Sequence, residues 1–327
     1  TSQMRQASTQ QDSQQETEAD DALREQLAAQ RARIAKLELK SKHLVTSQFA
    51  GNYHAIFKGR GIEFDEVRPY SPGDDVRSID WNVLARTGDA YVKRYIEERE
   101  LTVMLVVDVS GSQDIGSRGR SKRELAAELA ALIAFVANNN HDNIGLISFG
   151  QDVVTKLPAR KGRKHVRRII HEVLTARDLL AATNTSTTNV SAAFDSLNTL
   201  VKQRSIVFVI SDFLVDISGL ESNLKRASQR HEVIALRLTD PLDTNLADVG
   251  LIALEDAETG ELLWLDSHQH LDVNAHQDAV TRLFRKYGID HVGVQPSDDA
   301  FGHLHHLFEA RNTRRHQFVR GQAGRGL

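Results

Sequence analysis

The chain contains no cysteine among its 327 residues. That single absence excludes disulfides, thiolate metal ligands and a cysteine nucleophile. No segment approaches the roughly 20 consecutive apolar residues of a membrane helix. The apolar run Val103 to Val107 has the length of a strand. Neither charge sign dominates: 41 Lys and Arg against 44 Asp and Glu leave a formal net charge of −3. Such a balance gives no overall pull toward nucleic acid or an anionic membrane. The N-terminus is polar and Gln-rich, without the charged-then-apolar layout of a secretory leader, and it does not begin with Met. A soluble, cytoplasmic protein is the expectation. Three catalytic signatures are also missing: a Walker A loop, a Gly-x-Ser-x-Gly elbow and a His-Glu-x-x-His helix.

What is present divides along the chain. Residues 1–44 read as a mobile Gln-, Ser- and Thr-rich tail followed by an amphipathic helix. Leu23, Leu27, Ile34 and Leu37 fall at heptad-like steps, which suits a short coiled coil or a helix packed on its own domain. Only a narrow seam is apolar, so removing residues 1–40 is expected to leave the fold intact. Residues 45–100 carry aromatics, Gly and Pro, and both charge signs, and read as a small β-rich module. Residues 101–315 alternate apolar strands with amphipathic helices, and residues 316–327, rich in Arg and Gly, read as a tail.

Within that largest segment, strands are expected at Leu101–Val109, Asn143–Phe149, Asp152–Leu157, Ser205–Ile210 and Glu232–Leu238. Helices are expected near Lys122–Asn138, His165–Ala176, Asn189–Val201 and Leu220–Gln229. A hairpin turning at Thr259-Gly260 follows, then a helix (Gln277–Tyr287), a strand (His291–Val294) and a last helix (Phe301–Arg311). Runs such as TVMLVVDV and SIVFVISD are apolar on both faces, as in a parallel sheet covered by helices. The fold class is therefore α/β, a doubly wound, mainly parallel sheet.

The first of these strands ends in Asp108-Val-Ser110-Gly-Ser112, and the fourth in Ser211-Asp212. Ligands of open parallel sheets bind beyond the carboxyl ends of the strands, where the winding reverses. A strand order of 3-2-1-4-5 would put these two strands at that reversal. The loop Thr185-Ser-Thr-Thr188, opening the next helix, reaches the same edge. Two carboxylates and three hydroxyls form an all-oxygen donor set, suited to Mg²⁺ or Mn²⁺. The bland alternative has Ser110 and Ser112 capping a helix, with Asp212 in a turn.

Asp-x-Ser-x-Ser, a Thr loop and a later Asp resemble the metal-ion-dependent adhesion site of von Willebrand factor A domains. The resemblance implies Asp108, Ser110 and Ser112 as its first element, Thr188 as its second and Asp212 as its third. It also implies that a carboxylate from a protein partner fills an open coordination position. Gly often precedes the family's Thr, whereas Ser186-Thr187-Thr188 stands here, which leaves the register between Thr187 and Thr188 open.

A second resemblance spans about residues 50–310. Gly59-Arg-Gly61-Ile-Glu63-Phe64, then Arg68-Pro-Tyr70-Ser-Pro-Gly73-Asp74-Asp75-Val-Arg77-Ser-Ile-Asp80-Trp81, then Ala85-Arg86, are similar to the signature of the domain of unknown function 58 family. That signature precedes an A-type domain in such proteins, and the family commonly works beside MoxR-type AAA+ ATPases. The resemblance implies a non-enzymatic adaptor or partner of such an ATPase or its client. In the signature, acidic and basic residues around Phe64, Tyr70 and Trp81 form either ion-paired turns or a partner surface.

Other features carry less. The run Arg160-Lys161-Gly-Arg163-Lys164-His165-Val-Arg167-Arg168 could touch phosphates, but no aromatic residue is interleaved for base stacking, so nucleic acid is an unlikely partner. Arg118, Arg120, Lys122 and Arg123 follow the first site element, as a solvated surface or a receiver for an acidic partner. Of His303, His305 and His306, only the first and last share a helix face. A Mg²⁺-dependent phosphohydrolase using Asp108 is the rival function, although Ser110 stands where such enzymes place a second carboxylate.

Overall fold

The computed structural model describes residues 32, 34–40, 53, 66–72, 79, 81–94, 100–114, 120–180, 188–241, 243, 251–255, 262–266 and 273–323. In chain order the strands are β1 (Glu66–Pro69), β2 (Tyr91–Arg94), β3 (Thr102–Asp108), β4 (Asn143–Phe149), β5 (Val153–Arg160), β6 (Ile206–Ser211), β7 (Glu232–Leu238), β8 (Leu251–Glu255), β9 (Leu262–Asp266) and β10 (Asp290–Val294). The helices are α1 (Trp81–Thr87), α2 (Lys122–Asn139), α3 (Arg163–Leu180), α4 (Val190–Leu200), α5 (Ile217–Arg230), α6 (Val273–Lys286) and α7 (Ala300–Ala323).

Six strands form the central sheet in the order β10-β7-β6-β3-β4-β5, parallel except for β5. The first five core strands thus lie in the expected 3-2-1-4-5 order, and the doubly wound α/β fold is as expected. Alternation along β3 explains the layering. Val103, Leu105 and Val107 face a core built with α2, α3 and α7, while Met104 and Val106 face a second core built with α4, α5 and α6. The helix α2 is buried along most of its length, as a helix lined with Ala, Leu and Ile must be.

Gly145 fixes how closely β4 can approach its neighbours. A Cβ there would stand 2.8 Å from the Leu157 carbonyl oxygen and 2.7 Å from Met104 Sδ. The methionine can shift, but the backbone oxygen of β5 cannot do so without disturbing the pairing of the two strands. The β4–β5 pairing is already irregular, with register shifts at Ile144/Leu146 and Ser148/Phe149.

Several boundaries differ from expectation. Strand β5 runs to Arg160 through Pro158, which an edge strand tolerates. The last helix continues to Ala323, so residues 316–323 are helical rather than tail. Arg311 pairs with Glu232, and Arg314 Nη2 lies 2.8 Å from Asp290, so the helix is pinned across β7 and β10 beyond its expected end. Between β1 and β2, which pair antiparallel, lies the helix α1, so the small N-terminal element is not purely β. Trp81 of the signature is 60% exposed, and the signature residues 59–65, 73–78 and 80 lie outside the described residues.

Residues 34–40 are helical, and Ile34 and Leu37 pack against the first core. Glu38 accepts two bonds from Arg167, at 2.8 and 3.0 Å, and Lys40 Nζ lies 2.7 Å from the buried carboxylate of Glu128. This is the packed-helix reading for Ile34 and Leu37, while Leu23 and Leu27 lie outside the described residues. The basic run is drawn into the same arrangement: Arg167 pairs with Glu38, Lys161 with Glu100, and Arg168 with Glu172. The C-terminal histidines turn to carboxylates instead of gathering: His303 meets Asp298, while His305 and His306 meet Glu309.

Two outcomes follow. Gly145→Ala should cost roughly 2 kcal/mol or more in chemical denaturation, because the clash is with backbone. Deleting residues 1–40, contrary to the expectation from the narrow seam, should lower the melting temperature by several degrees, as removing two partly buried apolar side chains and a half-exposed ion pair costs about 1–3 kcal/mol. An unchanged melting curve would show that the segment contributes nothing to the core.

Candidate metal centre

The pairing of β3 with β6 runs in register from Val103↔Ile206 to Val107↔Ile210. Both strands therefore end together at the winding reversal, and Asp108 and Asp212 emerge side by side. The residue between Asp212 and the next loop is conformationally unusual. Phe213 has φ 57°, a left-handed conformation that costs a bulky residue about 1–2 kcal/mol. It is held there by His276, whose Nε2 meets the Phe213 carbonyl oxygen at 2.9 Å, and by edge-on packing of its ring against Phe284 at 5.1 Å. The bend lets Leu214 N donate to Asp212 Oδ1 at 3.1 Å, which fixes the carboxylate.

Ser110 and Ser112 are not helix caps. The cap of α2 is Ser121, which accepts from Glu124 N, and Ser112 sits in a 3₁₀ turn at Gly111–Asp114. Both serine hydroxyls turn to the carboxylates. Three short oxygen contacts run in a row: Ser110 Oγ to Asp108 Oδ1 at 2.7 Å, Ser110 Oγ to Ser112 Oγ at 3.1 Å, and Ser112 Oγ to Asp212 Oδ2 at 3.1 Å. Each serine brings one proton and each ionised carboxylate none. With both carboxylates ionised, two protons cannot satisfy three contacts, so one pair of oxygens meets lone pair to lone pair. Beside them, the buried Gln113 Oε1 has no hydrogen-bond partner among the described residues. A cluster rich in oxygen and short of protons fits a hard divalent cation, and the residues present are of the right kind to hold Mg²⁺ or Mn²⁺.

Electrostatics point the same way. Asp108 is 1% exposed, and its pKa is pushed up to about 6, first by burial and then by the neighbouring Asp212 charge. The Ser110 and Ser211 bonds pull in the opposite direction. Ser211, which the motif does not include, donates to Asp108 Oδ2 at 2.8 Å and accepts from Phe213 N at 3.0 Å.

Thr188 stands apart from this row. Asn189 anchors its loop, donating from its backbone to the Gly150 carbonyl at 2.7 Å and capping α4 through Ala192 N. None of the described hydrogen bonds joins the Thr188 hydroxyl to Ser110, Ser112 or either aspartate. It lines instead a cleft of about 480 Å³ with Asp152, Val215, Asp216 and Leu220. Thr187 lies outside the described residues.

The basic residues after the first element are corrected by the structure. Lys122 and Arg123 are buried, not presented to a partner. Arg123 Nη2 donates to the Val109 and Ser110 carbonyls at 3.1 and 3.4 Å. Lys122 Nζ lies 2.6 Å from Asp243 and 3.5 Å from Asp212. Arg120 pairs with Glu128, and Arg118 lies outside the described residues. Asp243 had no motif to mark it, and only the turn-forming Asp240-Pro-Leu-Asp243 pattern hints at an ordered bend.

A raised carboxylate pKa sets the sign of a pH effect. Asp108 favours the folded state fully below its ordinary value of 3.8, and that contribution is lost as pH rises through about 6. With chelator present, raising pH from 5 to 7.5 should therefore remove on the order of 1–2 kcal/mol of stability through this group. Asp108→Asn should flatten that part of the profile in denaturant titrations. An equal slope in both proteins would place the strain elsewhere.

A family model described as "Protein of unknown function DUF58" matches residues 66–282, from β1 into α6, and so spans every candidate ligand. Uncharacterized proteins of Mycobacterium tuberculosis and Mycobacterium bovis are each 36% identical over 229 residues, covering 70% of this chain and 71% of theirs. Among solved structures, the conserved hypothetical protein BatB from Bacteroides thetaiotaomicron aligns with 65% of this chain and 99% of its own, at 14% identity and a TM-score of 0.48. The SpRpn10 VWA domain aligns with 63% of this chain and 94% of its own, at 12% identity and a TM-score of 0.33. The fold assignment stands on the sheet itself, and the family on the sequence match over more than half the chain. This chain belongs to the DUF58 family of proteins of unknown function.

Proposed function

We propose that the protein is a metal-dependent protein-interaction module. Asp108, Ser110, Ser112, Thr188 and Asp212 hold Mg²⁺, or Mn²⁺, and an acidic side chain of a partner completes the site. The observation that carries this reading is the row of four oxygen groups with two protons for three contacts. The ion supplies positive charge to which a partner carboxylate binds. The chain's own residues do the rest: Ser211 and Leu214 N orient the two aspartates, and the Phe213 bend aims Asp212 along the strand ends. Leu214, 37% exposed, offers an apolar contact beside them. The resemblance of the 59–81 signature to proteins that work beside MoxR-type AAA+ ATPases supports such an ATPase, or its client, as the partner, in the cytoplasm.

A phosphohydrolase would need Asp108 as a free nucleophile. Here Oδ1 accepts two bonds from Ser110 and Oδ2 accepts one from Ser211, so both oxygens are held. A phosphate-binding role for the 160–168 run is disfavoured by its pairing with Glu38, Glu100 and Glu172.

Asp108→Ala should weaken Mg²⁺ binding by about 100-fold in calorimetric titration and abolish EDTA-sensitive capture of a MoxR-type ATPase, with the domain still folded. Asp212→Ala should act in the same direction, and Thr188→Ala more than Thr187→Ala. Purified protein should turn over neither ATP nor phosphomonoesters. Unchanged metal affinity in Asp108→Ala would overturn the site, and phosphate release surviving removal of contaminating enzymes would overturn the function.

A further inference from the structure

Lys122 is a charged residue in an expensive place. It is the first residue of α2, where the helix dipole disfavours a cation, and only 1% of it is exposed. A buried ammonium persists only where carboxylates compensate it. Two do so here: Asp243 Oδ1 at 2.6 Å and Asp212 Oδ2 at 3.5 Å. Asp243 is itself fixed by the backbone, since its Oδ2 accepts from Asp240 N at 2.9 Å. The oxygen that meets Lys122 on Asp212 is the same Oδ2 that accepts from Ser112. The lysine thus shares an atom with the candidate metal site.

We infer that Lys122 is the resident counter-cation of the site, and that the contest between Asp212 and Asp243 for its charge sets how tightly the site takes a divalent ion. This rests on the metal-binding reading above and adds a determinant that no part of the Asp-x-Ser-x-Ser motif contains. Charge arithmetic gives its direction. Asp108, Asp212 and Asp243 carry three negative charges, and Lys122 and Arg123 carry two positive ones. A divalent ion brings this group to +1 with Lys122 present and to zero without it. In a buried setting a like charge a few ångströms away weakens cation binding strongly. Asp243 moderates that cost by drawing the ammonium away from Asp212. The turn at residues 240–243 is then tied to metal occupancy through one side chain.

The two carboxylate partners make a test with opposite signs. Calorimetric titration of the full chain with Mg²⁺, and separately Mn²⁺, would be run on the unsubstituted protein, Lys122→Met and Asp243→Asn. Lys122→Met fills the same channel without charge, and should bind the ion at least about tenfold more tightly. Its melting temperature in chelator should fall, and the rise on adding Mg²⁺ should exceed that of the unsubstituted protein. Asp243→Asn should bind the ion about threefold or more weakly, because Lys122 turns wholly to Asp212. Should Lys122→Met fail to fold, the Asp243→Asn result decides alone. Metal binding by the unsubstituted protein with equal or weaker binding in Lys122→Met, or with equal or tighter binding in Asp243→Asn, would overturn the inference and leave the site standing. Metal binding only in Lys122→Met would support it, with the lysine as the ion's occupant. Binding by none of the three would overturn both the inference and the metal-dependent function.

Discussion

The site depends on the in-register pairing of β3 with β6. That pairing ends two adjacent parallel strands at the same level, β3 on Asp108 itself and β6 one residue before Asp212. Carboxylates in such a position cannot be solvated as they would be on a surface. Burial raises the pKa of Asp108 and the neighbouring Asp212 adds to the effect, so the sheet concentrates negative charge at its own switch point. Ser110, Ser112, Ser211, Leu214 N and Lys122 each answer that one constraint. Four contribute protons to it, and the fifth contributes a whole charge.

Much of this was legible in the sequence, for identifiable reasons. Strands such as β3 and β6 are apolar on both faces, as in a helix-covered parallel sheet, and their last residues are therefore the ones that reach its carboxyl edge. The Asp-x-Ser-x-Ser spacing and the Ser211-Asp212 terminus could be read because each lies within one local element. What could not be read was long-range. Lys122 looks like any surface lysine in a basic stretch, and its burial is decided by Asp243, 121 residues away. Ser211 looked like the end of a strand, and only the partner strand shows which oxygen it serves. The helical residues 316–323 were hidden by an Arg- and Gly-rich composition, whereas the Arg311 and Arg314 bridges to β7 and β10 belong to tertiary structure.

The left-handed Phe213 links the site to the second core. A residue so placed is over-determined by its surroundings, here the His276 bond and the Phe284 ring. Both come from α6, which covers the second core. The aim of Asp212 is thereby set from behind the sheet, by a helix packed on the second core. The first core, with α2, sets the same carboxylate from the front through Lys122.

One edge of the sheet has a consequence of its own. Strand β5 is antiparallel to its neighbour, half-exposed, interrupted by Pro158 and studded with Lys156 and Arg160. Proline withholds a ladder donor, and positive charge discourages a second strand from docking. A row of open backbone groups is the usual invitation to amyloid-like stacking or strand exchange, and here it is spoiled from within. The edge thus discourages the least selective route by which one sheet can adhere to another. On the proposed function, recognition is then left to the loops, where side-chain chemistry can tell one partner from another.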